Sequence, residues 1–89
     1  FGLKPAIKNI GYLRAYFGKL FSYTVNATSS NNLTVVYTDN SELFNINQYT
    51  GLINFTPQIS QIGEHSFNIT AIDQNGNYDI KQGYIIINS

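Results

Sequence analysis

The sequence predicts an all-β domain, a seven-stranded antiparallel Greek-key β-sandwich. Three observations predict it: apolar and polar residues alternate along short segments, turn-forming residues separate those segments, and the segments recur about every 8 to 12 residues. Such alternation is typical of strands with one solvent-facing side, whereas a helix repeats every 3.6 residues. At 89 residues, the chain is expected to form a single domain, 1–89, excised from a larger multidomain protein.

Four strands are predicted in the first half of the chain. They share alternate apolar positions and cover about 7–17 with a break at Gly11, then 20–28, 33–37 and 44–46. Glycine, asparagine and serine separate these segments, and those residues favour turns. The second of these strands is clearly half-buried, because Phe21, Tyr23 and Val25 would share one face while serine, threonine and asparagine share the other.

Three strands are predicted in the second half, at 52–56, 65–73 and 78–88. The first of them follows the turn at Gly51 and ends at Pro57, because proline cannot donate a hydrogen bond to a ladder. The other two are joined by the turn 73–76, and Gly83 is a candidate bulge in the last strand.

The predicted core collects the apolar side chains on the inner faces of these strands. They are Phe21, Tyr23, Val25, Leu33, Val35, Phe44, Ile46, Ile53, Phe55, Phe67, Ile69, Ala71, Ile85 and Ile87. Hydrophobic residues make up 43% of the chain, which suffices for an ordered core. Because cysteine is absent, stability is expected to come from packing alone.

Charge and composition exclude several classes of partner. Net charge is zero and only 11% of residues are charged, so no basic surface for nucleic acid is expected. No apolar run approaches the length of a membrane span, so no membrane insertion by this fragment is expected.

No catalytic residues are predicted, and the domain is not expected to be an enzyme. No serine lies in a G-x-S-x-G elbow, the motif that exposes a nucleophile in many hydrolases. Glu42 and Glu64 could act as a glycosidase pair only across a cleft, which a small filled sandwich does not offer. The single histidine, His65, lacks the further histidine or cysteine ligands of a usual zinc site.

The second half of the chain carries motifs that resemble the cadherin repeat. The order F-x-I-x-x-x-T-G-x-I, followed by a strand ending A-x-D-x-x-G, matches Phe44, Ile46, Thr50, Gly51, Ile53, Ala71, Asp73 and Gly76. The segment 50–57 with Gly63 is more similar to the Ig-like and dystroglycan-type cadherin-like modules of microbial surface proteins. This resemblance covers roughly 18–87.

The resemblance implies a noncatalytic structural or adhesive repeat of an extracellular protein, at the cell surface or secreted. Its implied partners are neighbouring repeats of the same chain and a protein or carbohydrate ligand on a cell surface. An alternative function is a carbohydrate-binding accessory module attached to a secreted enzyme. The tyrosines outside the predicted core would distinguish the two, since exposed coplanar rings favour the second function and rings spread over both faces favour the first: Tyr12, Tyr16, Tyr49, Tyr78 and Tyr84.

No cofactor is expected, and calcium is not expected to be required. Cadherin repeats resemble this chain in fold but bind calcium through acidic motifs, and at those places this chain has 55–58 and 28–30, which contain no carboxylate. Asp73 is the one surviving candidate, as a corner ligand of a calcium site. The competing role for Asp73 is to accept backbone N–H groups in the turn to Gly76.

Four asparagines lie in N-x-S/T sequons and are candidate glycosylation sites: Asn26, Asn32, Asn54 and Asn68. Each is expected on the solvent-facing side of a strand or at its entry, and Asn32 is the most loop-like. An alternative explanation is that a polar face built from asparagine and threonine at period two generates this motif without any glycan.

Overall fold

One layer of the domain is a four-stranded sheet, seen in a computed structural model that describes residues 5–29 and 34–89. Its strand order is β2 (Tyr12–Tyr16), β8 (Tyr78–Asn88), β7 (Gly63–Asp73) and β5 (Val35–Asp39). The two longest strands, β7 and β8, form an antiparallel hairpin at the centre of this sheet. Their length follows from the two long alternating segments of the sequence. In β7 the inner positions from Phe67 to Ala71 are all apolar or small.

The second layer is built from two short antiparallel pairs. In one pair, β1 (Ala6–Ile7) lies beside β4 (Ala27–Thr28), and in the other β3 (Phe21–Thr24) lies beside β6 (Leu52–Phe55). The two pairs continue into each other through the two residues between β3 and β4, since the N–H of Val25 donates to the carbonyl of Gly51 and the carbonyl of Asn26 accepts the N–H of Lys8, both at 2.8 Å. A single turn of 3₁₀ helix, Ile59–Gln61, connects β6 to β7.

The core lies between the layers and confirms most of the predicted inner positions. Buried residues are Ile7, Ile10, Ala15, Val25, Tyr37, Phe44, Ile46, Ile53, Phe67, Ile69, Ala71, Ile85 and Ile87. The predicted members Phe21, Tyr23, Val35 and Phe55 are half-buried against them, and Leu33 lies outside the described residues. The ring of Phe44 joins the layers, since its centroid is 5.5 Å from that of Phe55 and 5.2 Å from that of Phe67.

The prediction of a strand at 44–46 is wrong, although its apolar side chains are buried as expected. The carboxylate of Asp39 accepts hydrogen bonds from the backbone N–H groups of Ser41 and Ile46. The hydroxyl of Ser41 accepts the N–H of Leu43 at 3.0 Å. Side chains therefore satisfy backbone donors that a neighbouring strand would otherwise bind, and the segment crosses the core without a ladder.

The first predicted strand, 7–17, is divided at Gly11 as expected, and its two parts join different layers. The part before Gly11 pairs antiparallel with β4, and the part after it pairs with β8. The second pairing is parallel, with Tyr12 opposite Tyr84 and Tyr16 opposite Asn88. The expectation of antiparallel pairing throughout is therefore wrong for β2 and β8, whose parallel pairing is allowed because most of the chain lies between them.

Candidate functional site

Four of the five tyrosines that the sequence analysis considered for binding lie on one surface, which we call the tyrosine face. Strand alternation and register place them on the outer side of the four-stranded sheet: Tyr12, Tyr16, Tyr78 and Tyr84. The rings of Tyr12 and Tyr84 stack across β2 and β8, with centroids 4.9 Å apart and planes 19° apart.

The tyrosine face does not form a single flat platform. The stacked rings of Tyr12 and Tyr84 cover one side of each other, which is the usual arrangement of a cross-strand aromatic pair. Tyr78 lies six residues from Tyr84 on the same strand, a separation of roughly 20 Å at about 3.4 Å per residue. The tyrosines on this face therefore pack across strands, and they do not form a row of aligned rings on which a ligand could stack.

The fifth tyrosine, Tyr49, projects from a short connection before β6, residues 47–51, which we call the Tyr49 loop. The side-chain oxygen Oδ1 of Asn47 accepts the backbone N–H of Tyr49 at 2.9 Å and that of Thr50 at 3.0 Å. The carbonyl of Asn47 accepts the N–H of Gly51 at 2.9 Å. Asparagine is common at such turns because its side chain can replace a backbone acceptor.

Backbone hydrogen bonds hold the Tyr49 loop to both layers. The N–H of Tyr37 in β5 donates to the carbonyl of Gln48 at 2.9 Å, and the N–H of Val25 donates to the carbonyl of Gly51 at 2.8 Å. Gly51 is buried there with a φ of 78°, a conformation that favours glycine. The loop is therefore fixed in place, yet the Tyr49 side chain is 71% exposed.

Two shallow grooves meet at Tyr49. The first, of about 450 Å³, is lined by Tyr37, Thr38, Asp39, Asn45, Ile46, Asn47, Gln48 and Tyr49. The second is of similar size, shares Tyr37 and Tyr49 with the first, and is further lined by Ala27, Thr28, Ser29, Thr34 and Val35. Hydroxyl and amide groups thus dominate the polar lining of the first groove, and hydroxyls that of the second.

The polar groups of the first groove differ in whether they already have partners. Both carboxylate oxygens of Asp39 accept backbone N–H groups. The side chains of Thr38, Asn45 and Gln48 are exposed and make no hydrogen bond within the described part of the chain. The groove therefore presents a hydroxyl and two amides whose donors and acceptors face solvent.

Asp73 is buried in the turn between β7 and β8. Its Oδ1 accepts the backbone N–H of Asn75 at 2.9 Å and that of Asn77 at 3.0 Å. This geometry matches the turn-stabilising role that the sequence suggested for Asp73. Within residues 5–29 and 34–89, no cluster of three or more histidine, cysteine, aspartate or glutamate side chains has a metal-binding arrangement.

Solved structures with a similar fold include a candidate alpha-galactosidase, a cadherin and an adhesin. A candidate alpha-galactosidase from Bacteroides fragilis matches 98% of this chain with a TM-score of 0.80 at 18% identity. Drosophila N-cadherin EC1-4 matches 94% with a TM-score of 0.78 at 15% identity. The SrpA adhesin from Streptococcus sanguinis matches 98% with a TM-score of 0.68 at 17% identity. The fold is that of a cadherin-like, Ig-like sandwich.

These likenesses concern the fold alone. This cadherin-like domain spans 18%, 24% and 56% of the length of the three proteins, in the same order. No protein-family model and no curated sequence matches the chain. No helix in the described ranges is long and apolar enough to cross a membrane.

The sequon asparagines of the cadherin-like domain are accessible wherever the structure describes them. Asn26, Asn54 and Asn68 are exposed, and Asn32 lies outside the described residues. Asn68 and Thr70 share the outer side of β7, the side away from the core. Glycan attachment at these sites stays a prediction, and exposure meets its first requirement.

The residues considered for catalysis do not assemble into a catalytic arrangement. Glu64 lies exposed on the outer side of β7, whereas Glu42 lines a separate groove with His65. The Nε2 atom of His65 is 2.7 Å from the carbonyl oxygen of Gln61 and donates to it. The histidine therefore connects the 3₁₀ turn to β7.

Sequence reasoning recognised the turn at Gly51 but grouped Tyr49 with the other tyrosines and assigned no binding role to the loop. The signal that distinguishes it is Asn47, because an asparagine two residues before Tyr49 and three before Thr50 can accept both backbone N–H groups. The neighbouring amides of Asn45 and Gln48 carried no separate signal, since exposed amides are common throughout this composition.

Proposed function

We propose that this domain is a noncatalytic structural or adhesive repeat of an extracellular cell-surface protein. The observation that carries the proposal is the position of the two ends of the described chain. The N–H of Ile7 donates to Oδ2 of Asp79 near the start of β8 at 2.9 Å, whereas Asn88 ends the same strand. The nine residue steps from Asp79 to Asn88 span roughly 30 Å.

Entry at one end and exit at the other suit a module that is joined end to end with others. The domain is elongated, with dimensions of 47 × 18 × 16 Å, so each copy would add length more than width. Neighbouring repeats of the same chain are therefore its proposed partners. The core between the layers is formed by buried apolar side chains, which is consistent with a structural role.

The proposal is tested by small-angle X-ray scattering from two copies fused Ser89 to Phe1. End-to-end stacking predicts a maximum dimension of about twice the 47 Å of one domain. The matched control joins the copies through a long glycine and serine linker, which behaves as a flexible coil and gives a broad range of separations. A direct fusion that is as compact as a single domain, with the copies folded side by side, would contradict the spacer role.

A second candidate is a carbohydrate-binding accessory module of a secreted enzyme. The observation that favours it is the Tyr49 loop, which holds an exposed aromatic ring where two grooves lined by hydroxyls and amides meet. The tyrosine face supports this candidate less, because its central rings stack on each other. A spacer and a binding module are compatible in one domain, since the loop and the chain ends are separate features.

We also propose that folding does not require calcium. The Oδ1 atom of Asp73 is bonded to two backbone N–H groups, and its Oδ2 atom is 3.5 Å from Nδ2 of Asn77. A calcium ion would need several further oxygen ligands. The thermal unfolding midpoint is therefore expected to be the same in excess EDTA and in millimolar calcium.

Calorimetry in the two buffers measures this directly, because a ligand that binds only the native state raises its stability by RT ln(1 + [L]/Kd). The Asp73→Asn variant is the control for a metal effect at this turn. An increase of several degrees in calcium that the variant lacks would establish a metal site at Asp73.

A further inference from the structure

We infer that the Tyr49 loop and the adjoining groove of Asn45 and Gln48 bind a neutral saccharide. This inference rests on the second candidate function and deepens it, since it specifies a neutral ligand and assigns the binding residues. Three properties of the site carry it: an exposed aromatic ring on a fixed loop, unpaired amides beside that ring, and the absence of a cation from the groove lining.

Tyr49 combines an exposed side chain with a backbone that hydrogen bonds hold in place. Among the described residues, Tyr49 has the largest exposed fraction of any large hydrophobic side chain, 71%. Its backbone is fixed by the side chain of Asn47 and by the anchoring of Gln48 to Tyr37. A fixed loop loses little conformational freedom on binding, so less of the contact energy is spent on ordering. Aromatic side chains presented in this way suit the apolar C–H faces of sugar rings.

The neighbouring polar groups match a ligand that is rich in hydroxyls. Each amide of Asn45 and Gln48 offers an acceptor oxygen and two N–H donors, and the hydroxyl of Thr38 offers both. A sugar hydroxyl also donates and accepts, so these groups can form reciprocal hydrogen bonds. Because the three side chains have no partner within the described residues, ligand binding would break no existing protein hydrogen bond.

The charges of the groove select a neutral ligand over an anionic one. The described residues that line the groove include no lysine, arginine or histidine. Their single carboxylate is that of Asp39. A sulfated or carboxylated sugar would find no countercharge and would approach a carboxylate. The carboxylate of Asp39 is held by the backbone, since each of its oxygens accepts an N–H group.

The shape of the groove indicates a segment of a chain rather than an enclosed single sugar. A volume of about 450 Å³ falls within the usual range for small-ligand sites, roughly 300 to 1,000 Å³. The groove is shallow and open to solvent, so a longer saccharide could continue past the bound segment. The exposed ring of Tyr49 would contribute to binding by stacking on the saccharide. Substitution of Tyr49 is therefore expected to weaken binding most.

The inference is tested by affinity electrophoresis of the whole domain in gels that contain galactomannan, xyloglucan, mixed-linkage β-glucan or sulfated fucan. We expect retardation by at least one of the three neutral polysaccharides. We expect Tyr49→Ala to weaken that interaction by about tenfold or more, as for a central aromatic contact. Tyr78→Ala is the matched control, because it removes an exposed tyrosine from the tyrosine face and should leave the retardation unchanged.

A second pair of variants tests the amides. Gln48→Ala keeps the backbone carbonyl that anchors the loop and should weaken binding about threefold to tenfold, by loss of a hydrogen-bonding side chain. Gln82→Ala, on the outer side of β8, should have no effect. Circular dichroism of each variant confirms that the fold is intact, and amide chemical shifts should move at 45–49 when the polysaccharide is added.

Four results would overturn the inference. They are an absence of retardation by all three neutral polysaccharides, retardation by sulfated fucan alone, equal binding by Tyr49→Ala and the parent domain, or loss of binding in Tyr78→Ala with Tyr49→Ala unaffected. None of them bears on the scattering experiment, which tests the end-to-end arrangement separately. The structural proposal and the saccharide site therefore succeed or fail independently.

Discussion

Replacing Ile69 by alanine should lower the free energy of unfolding by about 2 to 5 kcal/mol. Ile69 is 0% exposed and lies on β7, which has hydrogen-bonded neighbours on both sides. The shorter side chain loses the transfer energy of the missing carbons and leaves a cavity that the two layers cannot close. A domain of this size has about 4 to 13 kcal/mol of stability, at about 0.05 to 0.15 per residue, so much of the total would be lost.

Urea unfolding followed by circular dichroism measures this change. Ile80→Ala is the matched control, because it makes the same chemical change on β8 at a side chain that is 52% exposed. Its effect should stay within about 0.5 kcal/mol, as for most surface substitutions. Equal stabilities for the two variants would show that the inner and outer sides of the hairpin are wrongly assigned.

Replacing Gly51 by alanine should destabilise the domain by about 2 to 5 kcal/mol, through two effects that add. The φ of Gly51 is 78°, and an L-residue in this region costs about 1 to 2 kcal/mol. A Cβ atom there would also press on the backbone oxygen of Val25 and lie 3.2 Å from Cε2 of Tyr37. Overpacking of this kind costs about 1 to 3 kcal/mol more.

The control for Gly51 is Gly76→Ala in the turn between β7 and β8. Gly76 has a φ of 84°, but a Cβ atom built there meets nothing within 4 Å. This variant therefore reports the backbone cost alone, about 1 to 2 kcal/mol. Thermal unfolding of both variants separates the two effects, and a smaller loss at Gly51 than at Gly76 would exclude the contact with Val25.

The sandwich itself could be predicted because its strands obey a local rule. Alternation at Phe67, Ile69 and Ala71 places three side chains on one side of β7, and all three are buried. The turns at Gly51 and at 73–76 were also recognisable, since glycine and asparagine supply backbone conformations that other residues disfavour. These features depend on neighbours in sequence, and so they are visible in the sequence alone.

The features that could not be predicted depend on partners at a distance or on competing hydrogen bonds. Phe44 and Ile46 have the pattern of a strand, but the carboxylate of Asp39 binds the Ile46 N–H and prevents a ladder. The parallel pairing of β2 with β8 joins residues more than 70 positions apart, as Tyr12 and Tyr84 show. No local pattern encodes the direction of such a pair.

The candidate site was visible only as a set of residue types. Five tyrosines outside the core were identifiable from the sequence, but their roles depend on surroundings that differ widely. Tyr12 and Tyr84 stack on each other, whereas Tyr49 is held apart on its own loop. The position of Asn45 and Gln48 beside that ring follows from how the segment 44–46 crosses the core. The sequence pattern wrongly predicted a strand for that segment.

The parallel pairing of β2 with β8 determines how the domain would respond to tension. A force on the two ends of the domain would reach β2 at its start, through Gly11, and β8 at its end, through Asn88. Because the strands are parallel, this force would pull them in opposite directions along their common axis. The backbone hydrogen bonds between them run across that axis, from Tyr12 opposite Tyr84 to Tyr16 opposite Asn88. They would be sheared together rather than opened one after another, so the pair would act as a mechanical clamp between the two ends of the domain.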